Sequence, residues 1–228
     1  RQAVAQALID FDHEWARIMS APPEVRENDG KQLPKFQEYF IEHGRYTAGL
    51  SVRYSPCRLV GATTYQHLAP GFAVGMRFHS APVIRLADGK PMQLGHVQKT
   101  DARWLIFCFS PGGTTEYQIN GLTRFSEWLA TNPASPVLRF TPKGADPDSV
   151  FDLRGVLQAH HHDVDITDLP SALRPSKGRF GLTDYEKVFC VDHNRGADIY
   201  EMRGIDRDLG CVVVVRPDQY IAQVLPLD

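Results

Sequence analysis

The run "HHHDVD" at residues 160–165 is the densest set of chemically versatile side chains in the sequence. Histidine is the commonest protein ligand for transition metals, and two histidines with an aspartate can hold a divalent ion. If the preceding stretch "SVFDLRGVLQAH" (149–160) is a strand that continues, His160 and His162 share one face and His161 takes the other. The run falls at a strand end, where polar residues are expected for solvation alone, and no cysteine is near it in sequence. His160 and His162 therefore stand as a weak metal alternative.

Three other groupings bear on chemistry. "SPGGTTE" (110–116) lies between a strand and a helix, where backbone N–H groups can cradle phosphate. It lacks the lysine of a P-loop, and G-x-G-x-x-G occurs nowhere, so a plain loop is the better reading. The cysteines Cys57, Cys108, Cys190 and Cys211 are far apart and sit among apolar neighbours, as buried free thiols of a reducing cytoplasm do. A redox dithiol needs C-x-x-C at a helix N-terminus after a central strand. The equivalent stretch here, "FSPGGTT", has no cysteine, and Cys108 falls inside the strand before it. The acidic pairs in "DITD" and "DRD" read as solvated loop residues. No G-x-S-x-G or H-E-x-x-H is present.

The elements that position these residues follow from periodicity. Val4, Leu8, Phe11, Trp15 and Ile18 recur four and three apart, the apolar face of a helix over 1–20 that stops at Ser20-Ala21-Pro22-Pro23. That stripe is too apolar to face water alone. "EVRENDGKQ" reads as a loop. A second helix over 34–43 follows, with Pro34 in its first turn and Gly44 at its exit. "YTAGLSVRY" and "SAPVIRLAD" read as strands, the latter ending at a "DGKP" turn. "RWLIFCFS" (103–110) is an unbroken apolar run, as for a strand covered on both faces. A helix over 121–131 and a short helical stretch over 167–173 are also expected. "CVVVV" and "QYIAQVL" form a hairpin through Arg216-Pro217-Asp218-Gln219, a type I turn. Strand, helix, strand and terminal hairpin make an α/β mixed sheet with flanking helices.

Length and charge narrow the class. The chain has 228 residues and a net charge of −2, with scattered basic residues that leave no footprint for nucleic acid or an anionic membrane. No apolar run approaches the length of a membrane span.

Several segments, in order and over nearly the whole chain, resemble the FAD-dependent aromatic hydroxylases of the phenol 2-monooxygenase class. They are "RQAVAQALIDFDHEWARIMS", "FQEYFIEHGRYTAGLSVRY", "PGFAVGMRFHSAPVIRLADGKPMQLGH", "RFTPKGADPDSVFDLRGV", "DYEKVF" and "YEMRGIDRDLGCVVVVRPDQYIAQVLPL". The likeness is strongest to the bacterial members that hydroxylate 3-hydroxybenzoate. One departure is "TDARW" (100–104), where Ala102 replaces the glycine of the family pattern. The resemblance implies a thioredoxin-like C-terminal domain without redox cysteines over 76–228. Residues 1–75 would be a mainly helical connecting segment from an FAD and substrate domain lying before Arg1.

The role so implied is non-catalytic scaffolding and homodimerisation. The parent would use FAD and NAD(P)H to hydroxylate a phenolic ring, and no catalytic or cofactor-binding residue of the family falls on this sequence. Leu8, Phe11 and Trp15 would meet the flavin domain. The alternatives are a stand-alone thiol or metal enzyme using Cys108 or the His160 and His162 run, and a free-standing binding module.

Overall fold

The computed structural model describes residues 2–20, 35–194 and 196–227, and the chain divides into two compact units between Val52 and Arg53. The expected loop over "EVRENDGKQ", the Pro22-Pro23 stop and Pro34 lie outside the described residues, as do the side chains of Val4 and Phe36. The first unit is a pair of helices, α1 (Gln2–Ser20) and α2 (Lys35–Thr47). Helix α2 runs past Gly44, because the Ala48 N–H donates to the Gly44 carbonyl at 2.9 Å and carries the helical bonding onward. The strand expected over "YTAGLSVRY" is therefore absent: its first residues close a helix, and the rest are turn and irregular backbone.

The second unit is built on a seven-stranded sheet. In chain order its elements are β1 (Pro82–Arg85), β2 (Lys90–Gln93), β3 (Trp104–Phe109), α3 (Thr115–Thr131), α4 (Pro136–Phe140) and β4 (Phe151–Leu157). A separate small ribbon, β5 (Ser176–Lys177) with β6 (Leu182–Thr183), interrupts the series. Then come β7 (Val188–Val191), α5 (Ile199–Arg203), β8 (Cys211–Val215) and β9 (Ile221–Leu225). The sheet order is β2-β1-β7-β4-β3-β8-β9. Strands β3, β4 and β7 are parallel; β8 pairs antiparallel with β3 and β9 antiparallel with β8, while β1 pairs antiparallel with β7 and β2 antiparallel with β1. The expected thioredoxin-like series, a strand, a crossover helix, a parallel strand and a terminal antiparallel hairpin, is present as β3, α3, β4, β8 and β9.

Strand β3 explains why "RWLIFCFS" shows no alternation. Phe107 and Phe109 enter one apolar cluster with Phe72, Phe78, Phe189 and Val213, while Ile106 and Cys108 enter the other beneath Leu122 and Leu129 of α3. Both faces of the strand are covered, so every side chain is apolar. Gly155 on β4 makes room for this packing, since a Cβ there would stand 3.0 Å from Leu122 and 3.2 Å from Leu173.

Several boundaries differ from the sequence reading. Helix α3 begins at Thr115 rather than at the expected 121, with the Thr114 hydroxyl accepting from the Tyr117 N–H. Gly121, a weak helix former, sits within it because Pro111 packs 3.0 Å from where its Cβ would be. The helix expected over 167–173 is two single 3-10 turns, Ile166–Asp168 and Ser171–Leu173, because Pro170 cannot continue the first. The terminal hairpin turns through Arg216 to Gln219 with the Gln219 N–H bonded to the Arg216 carbonyl at 2.8 Å, and Gln219 takes φ +70° before a bulge in β9. A type I turn followed by a left-handed residue is a favoured three-residue hairpin.

The unit boundary lies upstream of the expected 75/76 division. Val60, Leu68, Phe72 and Val74 belong to the same apolar cluster as β3 and β8. The segment also covers the free edge of β9: Gly61 N–H donates to Ala222 O at 2.8 Å, Gly75 N–H to Ile221 O at 2.9 Å, and Ile221 N–H to Met76 O at 2.8 Å. It has no regular period, so the sequence carried no sign of that attachment. The other sheet edge, β2, carries Lys90 and Pro91, residues that discourage further pairing.

Candidate functional site

The junction from β3 into α3 is where a thioredoxin-type architecture would keep its dithiol. Here it is filled by neutral hydrogen-bonding side chains. Gln118, 4% exposed, points back from α3: its Nε2 donates to Gly113 O at 3.0 Å, and its Oε1 accepts from Gln158 N at 2.8 Å and Ala159 N at 2.9 Å. Ser110 Oγ donates to the same Oε1 at 3.3 Å. The Tyr200 hydroxyl lies 3.0 Å from Ser110 O and 3.1 Å from Val156 O. Burial pushes the Tyr200 phenol well above its ordinary value, so it serves as a donor. The loop amide of Gly112 is already bonded to Arg207 O at 2.5 Å, so it is not free to cradle a phosphate. The stretch 110–116 is loop only as far as Gly113, with Thr114 capping α3 and Thr115 and Glu116 in its first turn.

The thiols differ from the expectation at one position. Cys108, Cys190 and Cys211 are buried, but Cys57 is exposed in a bridge with Val60. Burial pushes the Cys108 thiol well above its usual range and Cys190 to about 12. A nucleophilic cysteine needs the opposite shift. The Cys108 position is that of a small apolar residue in the sheet.

The histidine run is not a strand continuation. His160 closes the extended stretch, and its Nδ1 accepts from the His162 N–H at 3.3 Å, capping a 3-10 turn over His161–Asp163. The turn puts all three rings together instead of placing His161 on an opposite face. Ring centroids lie 4.6 Å apart for His160 and His161, and 3.9 Å for His161 and His162. His193, two residues beyond β7, stacks on His160 at 5.9 Å with an interplanar angle of 13°. Burial, then the neighbouring His162 and His160, lower the pKa of His161, with Asp192 and Asp163 opposing.

The acidic stretches are spent on local turns. Asp165 accepts from Thr167 N at 2.8 Å and from its hydroxyl at 2.7 Å, and Asp206 from Asp208 N at 2.9 Å. What the sequence reading missed is a buried ionic cluster under the other end of the sheet. Lys187 Nζ lies 2.6 Å from both Asp148 Oδ2 and Asp152 Oδ1, Arg154 pairs with Asp152 at 2.8 Å, and Lys177 with Asp148 at 2.7 Å. The signal available was Asp152 and Arg154 at alternate positions of an otherwise apolar strand.

In the helical unit, Phe11 stacks on Tyr39 at 5.5 Å and packs near His43 at 5.8 Å, while Trp15 meets Phe40 at 5.7 Å. Helix α2 thus covers part of the α1 stripe. Leu8 at 44%, Phe40 at 55% and Ile41 at 62% remain exposed in the described structure. In the sheet unit, a groove of about 540 Å³ runs between α3, α4 and β4, lined by Leu129, Val137, Leu138, Thr141 and Phe151 among others. Phe140, the last residue of α4, is exposed, as is Trp128 of α3.

Comparison with known proteins places this architecture. The chain is 51% identical over its whole length to 3-hydroxybenzoate 4-monooxygenase of Comamonas testosteroni, covering 36% of that protein. It is 32% identical, again over its whole length, to the FAD-dependent monooxygenase terD of Aspergillus terreus, covering 38% of it. It therefore spans little more than a third of these relatives. Among solved structures, a thiol:disulfide interchange protein from Bacteroides sp. aligns with 68% of this chain and 82% of its own, at 14% identity and a TM-score of 0.40. A family model described as the phenol hydroxylase C-terminal dimerisation domain matches residues 52–228, starting at the division between the two units. The chain belongs to the phenol hydroxylase C-terminal dimerisation domain family.

Proposed function

We propose that this chain is the subunit-association and scaffolding region of a larger FAD-dependent aromatic monooxygenase that works as a homodimer. In this reading the parent uses FAD and NAD(P)H to hydroxylate a phenolic ring such as that of 3-hydroxybenzoate; the 51% identical relative is a 3-hydroxybenzoate 4-monooxygenase and the 32% identical one an FAD-dependent monooxygenase. The flavin supplies the oxygen chemistry, and the residues described here supply support. The observation that carries the reading is the β3–α3 junction. Gln118, Ser110 and Tyr200 saturate one another there, leaving a packed neutral plug where the architecture would hold a nucleophile.

Two surfaces serve association in this proposal. Leu8, beside Phe11 and Trp15 on the helical pair, faces the flavin region of the parent. The apolar groove lined by Leu138, with Phe140 exposed on the same helix, meets a second copy, in keeping with the family's dimerisation role. The residues 1–52 act as the connecting segment and 53–228 as the dimerising domain. Free thiols at all four cysteines support a cytoplasmic setting, and no helix among the described residues is long and apolar enough to cross a membrane.

Sedimentation equilibrium of the chain tests the association role. A dimer at micromolar concentration, shifted to monomer by Leu138→Glu, is the expected result; a strict monomer overturns it. Stoichiometric flavin retained through purification would overturn the assignment of chemistry elsewhere.

A further inference from the structure

We propose that His160, His161 and His162, with His193 beside them, bind a borderline divalent transition-metal ion of the Zn²⁺ type. The proposal is independent of the association role. It rests first on the turn. An extended backbone would send His161 away from its neighbours, whereas the 3-10 turn brings one ligand nitrogen from each of the three residues within 4.8 Å of the others. Three imidazole donors suit zinc, nickel or copper over magnesium or calcium, and the charges of Asp163 and Asp192, which act on His161, favour a cation there.

A second observation points to a ligand. The Nδ1 of His161 is buried and has no hydrogen-bond partner. Buried polar atoms are nearly always bonded, so an unpartnered imidazole nitrogen within a three-histidine cluster points to a missing partner. The place in the fold adds a third. The turn follows β4, His193 follows β7, and Gly89 in the β1–β2 turn lies so close that a Cβ there would stand 3.7 Å from the His161 ring. Three segments of the sheet converge on one point, so a bound ion would tie strand ends together.

Loading requires a small movement. Tetrahedral zinc with bonds of about 2.0–2.1 Å needs nitrogens about 3.4 Å apart, so the rings must close inward. His160 and His162 are free enough to rotate, being half-buried and exposed respectively. The long 3.3 Å bond from His162 N–H to His160 Nδ1 is lost on loading, either to the metal or to a proton on that nitrogen. A water or His193 completes the coordination.

The test uses the chain without a histidine tag, stripped with chelator and titrated with Zn²⁺ and with Co²⁺ as a visible probe. One saturable equivalent is expected, together with metal-dependent shifts in the imidazole ¹⁵N resonances of His160, His161 and His162. The variant His160→Gln/His162→Ala should weaken binding about ten-fold or more, while His67→Gln, an exposed histidine elsewhere, should leave it unchanged. No saturable equivalent, or unshifted resonances of these three residues in the unsubstituted chain, overturns the proposal. Equal affinity in the double variant overturns it as well.

Discussion

Lys187 Nζ and Asp152 Oδ1 stand 2.6 Å apart with both side chains 1% exposed, an ion pair sealed inside the sheet unit. Desolvating two charges is costly, and the pair is tolerable because Arg154 and Arg103 also face Asp152 while Asp148 shares the ammonium. Removing one partner leaves the others buried and uncompensated. Lys187→Met is therefore expected to destabilise the domain by about 3–5 kcal/mol in urea unfolding. An unchanged midpoint would show that water reaches the cluster.

The same cluster sets an acid limit. Burial acts to raise the Asp148 carboxyl, but hydrogen bonds from Lys177 and Lys187 outweigh it and hold the group down at about 2. A depressed native value means that the unfolded chain binds the proton first as pH falls. The contribution, at most about 2 kcal/mol, is full above about pH 4 and fades as pH drops toward 2. Asp148→Asn should flatten stability across that window, measured by unfolding at a series of pH values.

Ala102 holds φ +66° in the turn before β3, where Asp101 Oδ1 accepts from Arg103 N at 3.2 Å. An L-residue with a Cβ is disfavoured in the left-handed region, where glycine sits freely. Ala102→Gly is expected to raise stability by about 1 kcal/mol despite the added freedom of the unfolded chain. A lower melting temperature would count against the turn geometry.

Thiol labelling of the native protein should modify one cysteine rapidly, Cys57, and reach the other three only on unfolding. Mass mapping of the labelled peptide checks it. Fast reaction at Cys108 would revive the thiol-enzyme alternative.

The parts of the fold that were legible are those whose signal is local. "WLIFCF" reads as a doubly covered strand because each residue reports its own burial, and Pro217 and Asp218 mark the last hairpin within four residues. The start of α3 was not legible, because Gly112 and Gly113 suggest a break while Thr114, the real cap, looks like more loop. The histidine run was visible as a composition but not as a cluster, since a single turn decides whether consecutive rings diverge or gather. The ionic cluster was hidden for a different reason. Asp148 lies just before β4, Asp152 at its start and Lys187 just before β7, and only the parallel pairing of these strands brings them together.

The hydrogen bonds from Gly61, Gly75 and Met76 to the last strand also bear on how the domain can be isolated. A truncation starting at residue 76 would strip the sheet of its selvedge, leaving the Ile221 and Ala222 carbonyls without their Gly75 and Gly61 donors and baring the apolar side chains of β3 and β8 that Val60, Phe72 and Val74 had covered. Such a piece presents an unguarded template to its neighbours, and its natural outcome is polymerisation into insoluble ribbons rather than a discrete pair.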